Sequence, residues 1–315
     1  MSEVKSVATR VGFGTALKEL GHMRDDFIVM DADLAAATQT GAFKKEFPDR
    51  FYNCGIAEQN MVSIAAGIAA TGKRVICSSF AMFAAGRAFE QIRNSVGYPH
   101  LNVIIGATHA GISVGEDGAT HQCNEDIAIM RTIPGMTIIN PADETEARLA
   151  VHAAMEHEGP VYMRFGRLAV PVVFGDDYKF EIGKGVELKE GNDVTIIATG
   201  LMVNEALIAH DLLKAEGINA RVINMATIKP LDKEIVLKAA KETGAIVTAE
   251  EHSVIGGLGS AVSEALAEEY PVPVVKLGVN DEFGHSGPAV KLLDEFGLRA
   301  PNIVEKVKKA ISLKK

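Results

Sequence analysis

Residues 101–122 read LNVIIGATHAGISVGEDGATHQ. The first eight, Leu101–Thr108, are apolar or small with no alternation, the pattern of a strand covered on both faces. The next fourteen, His109–Gln122, hold two histidines, two adjacent acids and three glycines. A plain connection needs no such chemistry. A loop dense in titratable groups, entered directly from a buried strand, points to a site at that strand's carboxyl end.

The rest of the chain follows the same grammar. Strand-like FIVMDAD (27–33), RVICSSF (74–80), MTIINPAD (136–143) and VYMRFGR (161–167) alternate with helix-like EQNMVSIAAGIAATG (58–72), AAGRAFEQIRNSVGY (84–98) and ETEARLAVHAAMEHEG (144–159). Apolar strands separated by helices predict an α/β fold with a parallel sheet. From Leu168 the chain turns rich in proline, glycine and aspartate, which reads as a connector with some short extended pieces. A second alternating set runs from DVTIIATG (193–200) through NARVINM (219–225), AIVTAEEHS (245–253) and VPVVKLGV (272–279) to two terminal helices. The expected organisation is two α/β domains, 1–167 and 191–315, with a linker over 168–190.

Composition narrows the partners. Forty-one acids against 32 bases give a formal charge of -9, and no long basic run breaks the pattern, so nucleic acid is not the expected partner. The N-terminal MSEVKSVATR lacks a signal-peptide core, and no apolar run reaches the ~18 residues of a membrane span. Cys54, Cys77 and Cys123 form no C-x-x-C. These features are those expected of a cytoplasmic protein.

The chemistry-bearing residues gather after strands. Asp31 and Asp33 follow FIVM, Ser78, Ser79 and Phe80 follow RVIC, and the histidine-rich loop follows LNVIIGAT. Glu58 opens an apolar helix. It reads either as a charge complementing the helix dipole or as a carboxylate in a low-polarity pocket. Phe80 and Phe83 are core residues or a stacking surface for a heteroaromatic ring. His109 and His121 gain weight as a pair beside Asp117, because acid–base work near neutrality favours imidazole. Their spacing matches no familiar metal-ligand pattern, so no metal ligands are assigned. Arg10, Arg87, Arg164 and Arg167 are solvated ion-pair partners or, at a strand end, a fork of donors for a phosphate.

Together these motifs resemble the thiamine-diphosphate-dependent transketolase family. GIAEQNM (55–61) is similar to its conserved-glutamate segment and SSFAMF (78–83) to its aromatic segment. THAGISVGEDGATHQ (108–122) is similar to its histidine loop, and DEFGHSGPAVKLLDEFGL (281–298) to a motif of its C-terminal domain. The resemblance covers only the C-terminal half of a full-length transketolase: a thiamine-diphosphate-binding-type pyrimidine domain followed by the C-terminal domain. The family's diphosphate motif, G-D-G followed downstream by paired asparagines, has no match here. The resemblance therefore implies the C-terminal subunit of a split transketolase. Its N-terminal partner subunit would hold the diphosphate and Mg²⁺, and the pair would assemble as a heterotetramer acting on sugar phosphates.

The same resemblance assigns roles. Glu58 would hydrogen-bond a ring nitrogen of the cofactor's aminopyrimidine, with Phe80 and Phe83 stacking on that ring and Asp33 nearby. His109 and His121 would orient substrate hydroxyls and shuttle protons. Asp117 would bind a hydroxyl near the reacting carbon, and Arg10 and Arg167 would grip the substrate phosphate. Two positions depart from the family: Gly86 stands where a third aromatic residue is common, so that the stacking wall is either thinner or supplied elsewhere, with Arg87 as a candidate, and Ala37 replaces a phosphate-binding serine, with Thr38 or Thr40 as candidate substitutes. Rival readings are a subunit of the deoxyxylulose phosphate synthase type, the β subunit of a 2-oxo-acid dehydrogenase, or a non-catalytic assembly subunit.

Overall fold

The structure, a computed structural model, describes residues 5–175 and 177–314. Strands β1 (Ser6–Ala8), β2 (Phe27–Asp31), β3 (Phe51–Asn53), β4 (Arg74–Phe80), β5 (Val103–Thr108), β6 (Thr137–Ile139), β7 (Val161–Arg164) and β8 (Ala169–Pro171) come from the first half. Strands β9 (Val186–Lys189), β10 (Val194–Ala198), β11 (Ala220–Asn224), β12 (Thr227–Lys229), β13 (Ile246–Ser253) and β14 (Val274–Val279) come from the second. One sheet has the order β12-β6-β7-β5-β4-β2-β3 and a second β14-β13-β10-β11-β9; β1 and β8 form a separate pair. The large sheet is parallel except where β12 meets β6, and the second is parallel except where β9 meets β11.

The unbroken apolar strands are explained by helices on both faces. Along β4, Val75 and Cys77 enter one core with Met61, Ile105 and Tyr162, while Ile76 enters another with Phe13, Leu17 and Val151. The second sheet splits in the same way, Ile196 to one side and Ile197 to the other. Period two with both faces buried leaves no polar positions to alternate. Each large aliphatic or aromatic side chain so buried contributes about 1.5–3 kcal/mol.

Three features differ from the sequence reading. The segment 168–190, expected to be a linker, carries β8 and β9, and β9 is an edge strand of the second sheet. In exchange β12, from the second half, is the edge strand of the first sheet. Sheet membership depends on where a strand finds unpaired backbone, which composition does not record. The helix Thr9–Met23 was not anticipated, because its three glycines weaken the helical pattern. Its Gly12 lies against the backbone of Glu144 at the start of the helix Glu144–Glu156, where a side chain would not fit. Finally, the helix-like run 84–98 is built from π-helical Met82–Arg87, a short turn Phe89–Gln91 and π-helical Ile92–Gly97. Such widened turns recur at functional sites.

Among the described residues no helix is long and apolar enough to cross a membrane.

Candidate active site

Strands β7, β5, β4 and β2 are parallel neighbours at the middle of the large sheet, so their carboxyl ends lie side by side. Phe80 on β4 is in register with Thr108 on β5. The next residue, His109, turns out of the strand with φ 57°, a left-handed backbone that a non-glycine residue adopts at a cost and often at a site. Its ring then stacks on Phe80 with 3.9 Å between centroids. Phe83 lies 6.0 Å from Phe80 in a near-parallel plane, and His121 stands edge-on to Phe83 at 5.2 Å. The fold thus gathers both phenylalanines and both histidines into one cluster.

Glu58 joins through Arg87. The carboxylate is 1% exposed and accepts from Arg87 Nη1 at 2.8 Å through Oε2. The Arg87 guanidinium lies over the Phe83 ring, 4.7 Å from its centroid. Arg87 directly follows Gly86, and its planar cation covers the Phe83 ring. Glu58 Oε1 is buried and has no hydrogen-bond partner among the described residues. A buried carboxylate oxygen without a donor is unfavourable, so it calls for a donor that the chain itself does not supply at that position. A nitrogen able to share a proton would complement that oxygen.

A cationic edge lies on the other side of the imidazoles. Burial is the main cause holding His109 down, to about 3, with Arg10, Arg167 and His121 adding positive charge nearby. His109 is therefore neutral at physiological pH and serves as a hydrogen-bonding group; its Nδ1 lies 3.0 Å from the Thr108 hydroxyl. We expect its ring to show no protonation step between pH 5 and 8 in an NMR titration of the histidine C2 protons; a midpoint near 6.5 would mean the ring is solvated. Burial and Arg167 lower the pKa of Arg10, whose Nη1 donates to the Ala37 carbonyl at 2.6 Å. Arg167 donates to the Val114 carbonyl and to Glu116 at 3.2 Å, with Asp117 at 4.0 Å. Arg10, Arg167 and Asp117 thus border the cluster.

Not every expected residue joins it. Asp33 is exposed after β2 and accepts from Asn53 Nδ2 at 2.7 Å. Thr38 and Thr40, offered as substitutes for the serine replaced by Ala37, are fully buried and donate to Asp31 Oδ2 at 2.7 and 2.9 Å. Their hydroxyls close a loop inside the fold and are not presented to a ligand.

The sequence reading missed what the second half contributes. Gln122 Nε2 donates to the His285 carbonyl at 3.0 Å, and Gly118 abuts Ser286, so the DEFGHSGPA segment cradles the histidine loop. Glu251 on β13 accepts from the Ser113 amide at 2.5 Å. The visible signal was EEHS (250–253), four polar residues closing an apolar strand. Among the described residues no group of three or more His, Cys, Asp or Glu could hold a metal ion.

Comparison with known proteins places both halves of the chain in one family. Residues 5–172 match the family described as transketolase, pyrimidine binding domain, and 183–303 that described as transketolase, C-terminal domain. A Methanocaldococcus jannaschii protein named as a transketolase C-terminal section is 51% identical over 301 residues, 95% of this chain and 94% of that one. Human transketolase is 41% identical over 310 residues, 97% of this chain and 49% of that one, so the chain spans about half its length. A solved structure described as a split-gene transketolase, inactive β4 tetramer, shares 54% identity and superposes with a TM-score of 0.91 over 99% of this chain and 100% of that one. The two halves of this chain are the pyrimidine-binding and C-terminal domains of transketolase, and the chain belongs to that family.

Proposed function

We propose that this chain is the C-terminal subunit of a two-subunit transketolase, moving a two-carbon ketol group from a ketose phosphate to an aldose phosphate. The observation that carries the reading is the buried, partnerless Glu58 Oε1 beside the Phe80–Phe83 surface. Thiamine diphosphate, when bound, supplies the carbon nucleophile that takes up and releases the two-carbon unit. Glu58 would share a proton with a pyrimidine ring nitrogen and Phe80 and Phe83 would hold the ring face, while Asp33, exposed and bonded to Asn53, would be at most a peripheral neighbour of the cofactor. His109 and His121 orient sugar hydroxyls, neutral His109 by hydrogen bonding and His121 as the proton carrier. Asp117 binds a hydroxyl near the reacting carbon, and Arg10 and Arg167 hold the terminal anion.

The diphosphate and Mg²⁺ fall to an N-terminal partner subunit, with the pair forming a heterotetramer in the cytoplasm. That division is supported by the half-length match to human transketolase and by the relative solved as an inactive β4 tetramer. The three free cysteines suit a reducing compartment. A Clostridium relative, 45% identical over 288 residues, is named a 6-deoxy-6-sulfo-D-fructose transketolase subunit. The guanidinium fork that matches phosphate oxygens also meets the three oxygens of a sulfonate, though against a smaller charge, so ketoses bearing either group belong in the substrate panel.

The purified chain alone is expected to transfer no ketol group, and activity is expected on adding the N-terminal partner with thiamine diphosphate and Mg²⁺. A coupled assay of ketose donor and aldose acceptor measures this. Turnover by the single chain, or pyruvate decarboxylation without ketol transfer by the complex, would overturn the reading.

A further inference from the structure

Besides the DEFGHSGPA segment, the second half of the chain brings one buried carboxylate into the site region. Glu251, on β13, is 4% exposed and accepts from the backbone amide of Ser113, four residues after His109. The fit is close: a Cβ at Gly111, where φ is 81°, would overlap the Glu251 carboxylate. The far end of the same loop returns to the same strand. Ser253 N donates to the Asn124 carbonyl at 2.7 Å, and Gly111 N donates to the Cys123 carbonyl at 2.9 Å across the loop's neck. Arg164, 3% exposed, bridges the two, donating to the carbonyls of Cys123 at 3.2 Å and Glu251 at 2.8 Å. The segment that carries His109, Asp117 and His121 is therefore pinned at both ends to a strand of the other sheet. Burial raises the Glu251 carboxyl to about 7. A buried acid is a costly way to fill space, and an apolar side chain would fill it more cheaply.

We propose that Glu251 is a positioning residue: its carboxylate fixes the histidine loop against β13 and so aims His109, Asp117 and His121 at the sugar. The inference relies on the proposed function only for its kinetic arm. Glu251→Ala removes the acceptor for the Ser113 amide, whereas Glu251→Gln keeps a carbonyl oxygen there.

In the isolated chain, the alanine variant is expected to move the His109 protonation midpoint up by about one unit or more as the loop loosens and water enters. The glutamine variant leaves it near the wild-type value. In the assembled enzyme, the alanine variant is expected to lower kcat/KM for the ketose by about 10–100-fold through loss of orientation. The dissociation constant for thiamine diphosphate changes much less than kcat/KM, because Glu58 lies on another element and Phe80 and Phe83 meet the loop only through the rings of His109 and His121. Glutamine restores most of the loss. Should the alanine variant not fold, Glu251→Asp, which withdraws the carboxylate by one methylene, carries the same expectations.

An unchanged His109 midpoint, cofactor affinity falling in step with sugar kinetics, or a glutamine variant as impaired as alanine would overturn the proposal. A wild-type complex without ketol transfer would instead sink the functional reading, and the His109 titration in the isolated chain would still decide on Glu251.

Discussion

Replacing Glu58 by glutamine in the assembled two-subunit enzyme is expected to lower kcat for ketol transfer by about 10²–10⁴-fold, the range for losing a positioned acid–base group. The carboxylate is 1% exposed, with one oxygen on Arg87 and the other partnerless. Glutamine is nearly isosteric and can still meet Arg87 with its carbonyl oxygen. It cannot exchange a proton with a ring nitrogen. The fold tolerates the change because Arg87 is half exposed, 47% for its side chain, so a weakened pair leaves the cation in reach of water. Thermal unfolding should therefore move little while turnover collapses. A glutamine variant with wild-type kcat would show that this carboxylate takes no part in the chemistry and would leave the non-catalytic assembly subunit as the better reading.

The largest effect on stability is expected at Asp126. Asp126 is fully buried; it accepts from Arg164 Nε at 3.0 Å and from the Tyr162 hydroxyl at 2.9 Å. Burial and the nearby Asp126 charge push the Tyr162 phenol well above its usual range, so it stays a neutral donor. Asp126→Ala leaves the buried Arg164 guanidinium without its directly paired carboxylate, held by the Cys123 and Glu251 carbonyls and by the more distant Glu251 charge. Removing one partner of such a pair costs about 3–5 kcal/mol. Urea denaturation of the isolated chain measures this, and a loss under about 1 kcal/mol would mean that water reaches Arg164. Asp126→Asn, which keeps an acceptor for Tyr162, should lose less. Because Arg164 also holds Cys123 and Glu251, the weakened variant should loosen the histidine loop before the rest of the domain.

The sequence made the parallel sheets and the clustering at strand ends legible, because both follow from local facts. Unalternating apolar runs such as RVICSSF can only be buried on both faces, and the first polar residue after each must then lie at a carboxyl end. Ser78, Ser79, Phe80 and the loop from His109 were placed this way, whereas Glu58 stood out as the first residue of an apolar helix, and parallel register brings the residues of β4 and β5 together. Long-range pairings were not legible. Nothing in EEHS says that Glu251 will reach Ser113, 138 positions away in the chain. Thr38 and Thr40 were misread for the same reason: a hydroxyl near a strand end looks alike whether it faces a ligand or a buried Asp31. Asp33, one residue beyond the buried end of β2, turned to solvent and to Asn53.

The exchange of edge strands makes the chain indivisible in a practical sense. A fragment stopped near residue 190 would lose β12 and leave the outer backbone of β6 unpaired, while the remainder would carry β12 with no sheet to join. Bare strand edges of this kind recruit one another and aggregate. Anyone grafting the front half of this protein onto another scaffold should therefore carry residues 227–229 with it, or cap that edge with charge or proline.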